Sequence, residues 1–288
     1  MEAWKALLLG VVQGLTEFLP VSSSGHLMIA REVLGVDAEG FLDFTVAVHC
    51  ATVLSTIAVF WATIWRLVKG VFRRGWNDEK DYAGKLLVSM VPVAVVGVFF
   101  KDAVEGLFGE SLALTGAGLL LTAGLLWASD RAGRRRTACG QEAAATGGTP
   151  APAVGPRNGI GWWAALAVGV GQAVAVAPGV SRSGTTIATG LLAGVRRDVM
   201  AGFSFLMVLV PILGEQALIL AKGAGGEAGA EGAEGVGAVA LVLGFMGAFV
   251  AGTAACRAMV ALVRRARMGW FALYCALVGA AVLWWGWR

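Results

Sequence analysis

"QGLTEFLPVSSSGH", Gln13 to His26, gathers a glutamate, three consecutive serines and a histidine inside a chain that is otherwise mostly apolar. Over 288 residues the chain is 57% hydrophobic and only 15% charged, whereas soluble domains carry about 25% charged residues. Runs such as Leu86–Phe100 with its flanks, Leu112–Ala128 and Val236–Val250 approach the roughly 20 apolar residues that cross a bilayer. The chain therefore reads as an all-α polytopic membrane protein, one membrane domain over residues 1–288. The start, "MEAWKALLLGVVQGLTE", has neither a basic beginning nor a small-residue cleavage site, so no removed signal peptide is expected.

Ten helical segments can be read, at about 2–18, 23–35, 41–68, 83–101, 110–129, 159–177, 184–195, 198–222, 236–263 and 268–287. The second and seventh are near 20 Å long at about 1.5 Å per residue, too short for a hydrocarbon core of about 30 Å. Each follows a break rich in Pro, Gly and Ser, and irregular backbone at membrane depth survives only where protein or a wet cavity satisfies it. Two re-entrant helix–loop–helix hairpins plus six transmembrane helices are expected. A gapless shift of 159 residues lays "GVVQGLTEFLPVSSSG" from Gly10 on "GVGQAVAVAPGVSRSG" from Gly169 and matches Gln13 with Gln172, Ser22 with Ser181 and Ser24 with Ser183. The expected organisation is repeat A at about 1–129, a cytoplasmic linker at about 130–158 and repeat B at about 159–288. One hairpin and three spans per half make an odd number of crossings, so the second half inserts upside down, as an inverted-topology repeat.

Charge fits that topology. The loops after the third, fifth, seventh and ninth segments, with Arg257, hold 17 of the 23 Lys and Arg. The positive-inside rule puts them in the cytoplasm and both termini outside. The first hairpin then enters from outside and the second from the cytoplasm, so that their tips meet in mid-membrane. Arg134–Arg136 are expected to follow this rule or to touch anionic lipid, and the stretches around 137–159 and 223–237 read as flexible linkers.

The second hairpin reads "APGVSRSGTT", Ala177–Thr186. Ser181, Ser183 and Thr186 sit where a short helix begins, and a helix N-terminus offers free N–H groups and a positive dipole end to an anion. Arg182 supplies a planar fork suited to phosphate oxygens, and it is the one basic residue that no loop explains. Serine capping beside a snorkelling arginine is the plainer alternative. In the first hairpin, Glu17 must be protonated, paired or metal-bound. A hydroxyl among Ser22, Ser23 and Ser24, the imidazole of His26 and the carboxylate of Glu17 are the parts of an activated nucleophile with its base. Spacing alone leaves serine attack and histidine attack both open. An anion cradle facing such a cluster inside the bilayer fits a lipid phosphate better than a soluble metabolite.

At these residues the sequence resembles the bacterial undecaprenyl-diphosphate phosphatase family associated with bacitracin resistance. "QGLTE" stands where that family has (E/Q)xxxE, "FLPVSSSGH" follows directly, and "PGVSRSGTT" and "GFSF" match its later motifs. The resemblance implies hydrolysis of undecaprenyl diphosphate to the monophosphate carrier and inorganic phosphate, in the bacterial plasma membrane with the site open to the outer face. It implies dependence on Mg²⁺ or Ca²⁺. It also implies catalytic roles for Glu17, Ser23, His26 and Arg182 and phosphate-binding roles for Gln13, Ser22, Ser24, Ser181, Ser183 and Thr186. Gln13 is not a carboxylate, so Glu17 is left as the one ionised metal ligand of this hairpin, with the diphosphate holding most of the cation. The expected partners are a polyprenyl diphosphate and membrane lipids, not nucleic acid, with a homodimer left open.

The remaining polar residues attract blander readings. His49 is expected to be a satisfied packing histidine, and Glu215 to pair near Lys222 or to face the outer cleft. The four scattered cysteines form no CxxC, and two histidines exclude a three-histidine zinc site. A transporter or flippase for lipid phosphates is the competing class, since inverted repeats with broken helices also suit transport. His26 beside Ser22–Ser24 and Glu17 argues for hydrolysis, because an anion carrier has little use for a nucleophile and base.

Overall fold

The computed structural model describes residues 1–37, 40–100, 106, 112–145, 157–211, 237–265 and 268–286. Glu215, Lys222 and the 223–236 stretch lie outside them. Helices and no strands make up the described residues: α1 Ala3–Phe18, α2 Ser23–Leu34, α3 Phe41–Val71, α4 Asp78–Phe99, α5 Leu112–Ala145, α6 Trp162–Val174, α7 Arg182–Leu192, α8 Arg197–Met207, α9 Ala238–Arg265 and α10 Gly269–Gly286. Four of them contain stretches long and apolar enough to cross a membrane, at Asp43–Val71, Asp78–Phe99, Ala113–Arg134 and Ala238–Val263. Trp162–Val174 and Gly269–Trp285 are shorter apolar helices.

The breaks have local causes. Pro20 pushes the residue before it out of the helical region, and Leu19 is extended at φ −74°, ψ 146°, which ends α1. Ser22 then turns the chain with φ 68°, and its hydroxyl accepts from the Gly25 N–H at 3.3 Å to start α2. Gly35, left-handed at φ 57°, ends α2 by donating its N–H back to Glu32 O. In the second break Gly179 has φ 78°, and a Cβ there would strike the Thr115 backbone of α5. Only glycine satisfies both constraints. Gly118, one turn further along α5, would likewise carry a Cβ into Pro178 and Val180, so the second turn lies directly on α5.

The helix starts follow the 159-residue shift: Ala3 of α1 falls on Trp162 of α6, and Ser23 of α2 on Arg182 of α7. The packing has the same symmetry. α1 lies along α9, its counterpart α6 lies along α4, and α5 packs on α10. Gly10 and Gly14 of α1 meet the backbone of Gly244 and Ala248 of α9, so these two axes approach as closely as small residues permit. One apolar core gathers around Phe203, Met200, Ile187, Leu126 and Met259, and a smaller one around Leu9, Leu27, Phe44 and Ala248.

Helical structure continues through Ala145, well into the stretch expected to be a linker. Arg, Gln, Glu and Ala dominate 134–145, and all are strong helix formers. Two acids in the basic-loop regions are buried. Asp81 pairs with Lys85 and accepts from Asn158 at 3.2 Å. Asp130 accepts from Arg134 at 2.8 Å, from Arg197 at 3.3 Å and from the Met268 N–H at 3.1 Å, tying α5, α8 and the start of α10 together.

Candidate active site

Glu17 closes the last turn of α1 with its side chain only 6% exposed. Arg182, the first residue of α7, reaches across to pair with its Oε1. On Oε2 it accepts from the Ser23 hydroxyl at 2.6 Å and from Gln13 Nε2, one turn back on α1, at 3.0 Å. Two oxygens thus serve a guanidinium, a hydroxyl and an amide, so the buried carboxylate is provided with donors on both sides. The end of α1 and the start of α7 touch here. A further tie runs from Ser183 Oγ to Leu19 O at 3.0 Å.

The serines divide into distinct tasks. Among the described residues, Ser22 caps α2, Ser24 Oγ reaches only Ser22 Oγ at 3.4 Å, and of the three serines Ser23 alone bonds the carboxylate. In the second hairpin Ser181 caps α7 by accepting from the Gly184 N–H at 3.1 Å. Thr186 donates to Arg182 O at 2.8 Å and pairs with Ser204 of α8 at 2.7 Å. Those hydroxyls brace the arginine from behind. Free space between Glu17, Arg182, Thr52, Thr56 and Ser204 amounts to about 10 Å³, roughly one water.

Among the described residues the His26 ring bonds Ser22 O at 2.8 Å through Nδ1 and Tyr274 Oη at 2.7 Å through Nε2. His49, expected as a packing residue, sits with Nε2 3.9 Å from Glu17 Oε2 while Nδ1 bonds Thr45 O at 2.8 Å. The carboxylate therefore has its histidine neighbour on α3. Neither residue could be assigned by spacing, because α3 and α10 reach the site only through tertiary packing. Ser204, in the quoted "GFSF", had a sequence signal. Tyr274 had none.

Among the described residues no group of three His, Cys, Asp or Glu could hold a metal. The cluster does offer oxygen donors. Gln13 Oε1 is buried with no hydrogen-bond partner among the described residues, and Glu17 is one residue-turn away. One carboxylate and one neutral carbonyl suit a hard cation that takes its other ligands from phosphate oxygens and water.

The chain is thus a multi-pass helical membrane protein that brings an ion-paired carboxylate, a hydroxyl and a guanidinium together where the end of α1 meets the starts of α2 and α7. Comparison with known proteins agrees with that class. The family described as Bacitracin resistance protein BacA matches residues 6–281, and the chain belongs to it. A protein of Bacteroides fragilis named undecaprenyl-diphosphatase is 44% identical over 283 residues, 98% of each chain. Proteins of the same name from Parabacteroides distasonis and Salinibacter ruber are 44% and 37% identical over 98% and 99% of each chain.

Proposed function

We propose that this chain hydrolyses undecaprenyl diphosphate to undecaprenyl phosphate and inorganic phosphate. It would thereby recycle the lipid carrier for peptidoglycan and other envelope polymers and confer bacitracin resistance. The observation that carries the proposal is the 2.6 Å bond from the Ser23 hydroxyl to Glu17, beside Arg182. The ion pair occupies both Glu17 and Arg182, so the reaction begins with its exchange. The incoming head supplies the exchange partner: the guanidinium moves to phosphate oxygens, and Glu17, freed of its counter-ion, accepts the Ser23 proton. Ser23 Oγ then bonds to the terminal phosphorus as the bridging P–O bond breaks, and undecaprenyl phosphate leaves with the bridging oxygen. Water attacks the seryl phosphate, inorganic phosphate departs, and a proton returns to Ser23. Both nitrogens of His26 are engaged by Ser22 and Tyr274, which favours Ser23 over His26 as the attacking group.

Glu17 and Gln13 Oε1, together with the diphosphate, would hold Mg²⁺ or Ca²⁺, and the cation would neutralise phosphate charge. The topology that suits this chemistry has six spans and two re-entrant hairpins in the bacterial plasma membrane, with both termini and the site opening outside. It is supported by α2 and α7, of 12 and 11 residues, which are too short to span. The deciding experiment is phosphate release from undecaprenyl or farnesyl diphosphate by purified protein with Mg²⁺. Release that Ser23→Ala abolishes is expected. No release, together with lipid-phosphate movement across vesicles, would replace hydrolysis by transport.

A further inference from the structure

Tyr274 lies on α10, 248 residues from His26 in sequence and in no motif, yet its hydroxyl is 2.7 Å from His26 Nε2. The two rings are near parallel, 12° apart with centroids 5.6 Å apart. The hydrogen bonding of His26 fixes its tautomer. Nδ1 is 2.8 Å from Ser22 O, and a carbonyl can only accept, so Nδ1 carries the proton. In the neutral ring Nε2 is then the acceptor and the Tyr274 O–H donates to it. Among the described residues no carboxylate bonds this ring, and Glu17 is committed to Arg182, Ser23 and Gln13.

The far end of this chain of bonds is the strained turn. Ser22 has φ 68° and ψ 97°, a backbone state that costs a non-glycine residue about 1–3 kcal/mol and needs its surroundings to hold it. Its carbonyl receives the His26 imidazole as well as the His26 N–H at 3.2 Å. The next residue is Ser23, which that turn aims at Glu17.

From this geometry we infer that Tyr274 is a positioning residue: it anchors His26, which holds the Ser22 turn, which aims the Ser23 hydroxyl at Glu17. The inference rests on the hydrolytic reading for its catalytic consequence, but the contact itself can be read without turnover. Tyr274 touches none of the groups proposed to hold the diphosphate, so its loss acts on the chemical step and not on binding.

The test is Tyr274→Phe, which removes one oxygen from a ring that is 44% exposed and so leaves the fold intact. Kinetics on farnesyl diphosphate should show kcat reduced about tenfold, the worth of one well-placed hydrogen bond, with KM within about twofold. ¹⁵N NMR of the imidazoles has two histidines to resolve, His26 and His49, and His49→Asn assigns them. In Tyr274→Phe the His26 Nε2 signal should move to that of an unbonded lone pair while Nδ1 keeps its proton. Wild-type kcat in Tyr274→Phe, a change confined to KM, or an unmoved Nε2 signal each overturns the proposal. A wild-type protein that releases no phosphate instead removes the hydrolytic reading, and is told apart because the Nε2 signal still reports the Tyr274 contact.

Discussion

Arg182→Ala tests the site at its most expensive contact. The Glu17 side chain is 6% exposed and that of Arg182 29%, and removing one member of a buried pair costs about 3–5 kcal/mol because the other is stranded. Ser23 and Gln13 would still donate to Oε2, which places the loss near the low end, about 3 kcal/mol. Glu17→Gln should cost less, about 1–2 kcal/mol, since the longer and more exposed arginine can turn toward water. The double variant should then be more stable than the summed losses predict, by about 1–3 kcal/mol. Denaturant titrations in non-ionic micelles, followed by tryptophan fluorescence, measure all three. Phosphate release on the same samples should fall in each. Additive losses, or an Arg182→Ala protein as stable as wild type, would refute a buried pair joining α1 to α7.

Three other expectations bear on separate contacts. Ser23→Ala should lower kcat for diphosphate hydrolysis at least about 10³-fold, whereas Ser24→Ala, which loses only a 3.4 Å contact to Ser22, should change it less than about threefold. Chelation by EDTA should stop phosphate release and added Mg²⁺ or Ca²⁺ restore it, with Gln13→Ala raising the cation concentration needed for half-restoration. Gly179→Val should destabilise by about 2–4 kcal/mol, combining the left-handed penalty with overpacking on Thr115. Gly124→Ala, where a Cβ meets nothing within 4 Å, should instead stabilise by up to about 1 kcal/mol; thermal unfolding compares the two.

The spacing of polar residues against a hydrophobic background was enough to locate the centre of this protein. Glu17, Ser23 and Arg182 stand out because each is a polar group at a helix break in an apolar run, and a break inside lipid must have a partner or a purpose. Their meeting was also legible, since the matches of Gln13 with Gln172, Ser22 with Ser181 and Ser24 with Ser183 pair the two breaks. Helix limits followed from Pro20, Ser22, Gly35 and Ser181 to within a few residues. Two differ: α5 runs on to Ala145 because propensity outlasts hydrophobicity there, and the helix expected over 198–222 ends at Met207 as α8. Which serine faces the carboxylate, which histidine lies beside it and what holds the other were not legible. Ser22, Ser23 and Ser24 are chemically alike, and one residue of rotation around the Ser22 turn separates capping from contact with Glu17. His49 comes from α3 and Tyr274 from α10, so their places depend on how glycine-lined helices close on one another. Local sequence determines where a chain must bend and which groups cannot face lipid. The directions in which those groups point are set by contacts between residues far apart in the chain, and these exist only once the helices have packed.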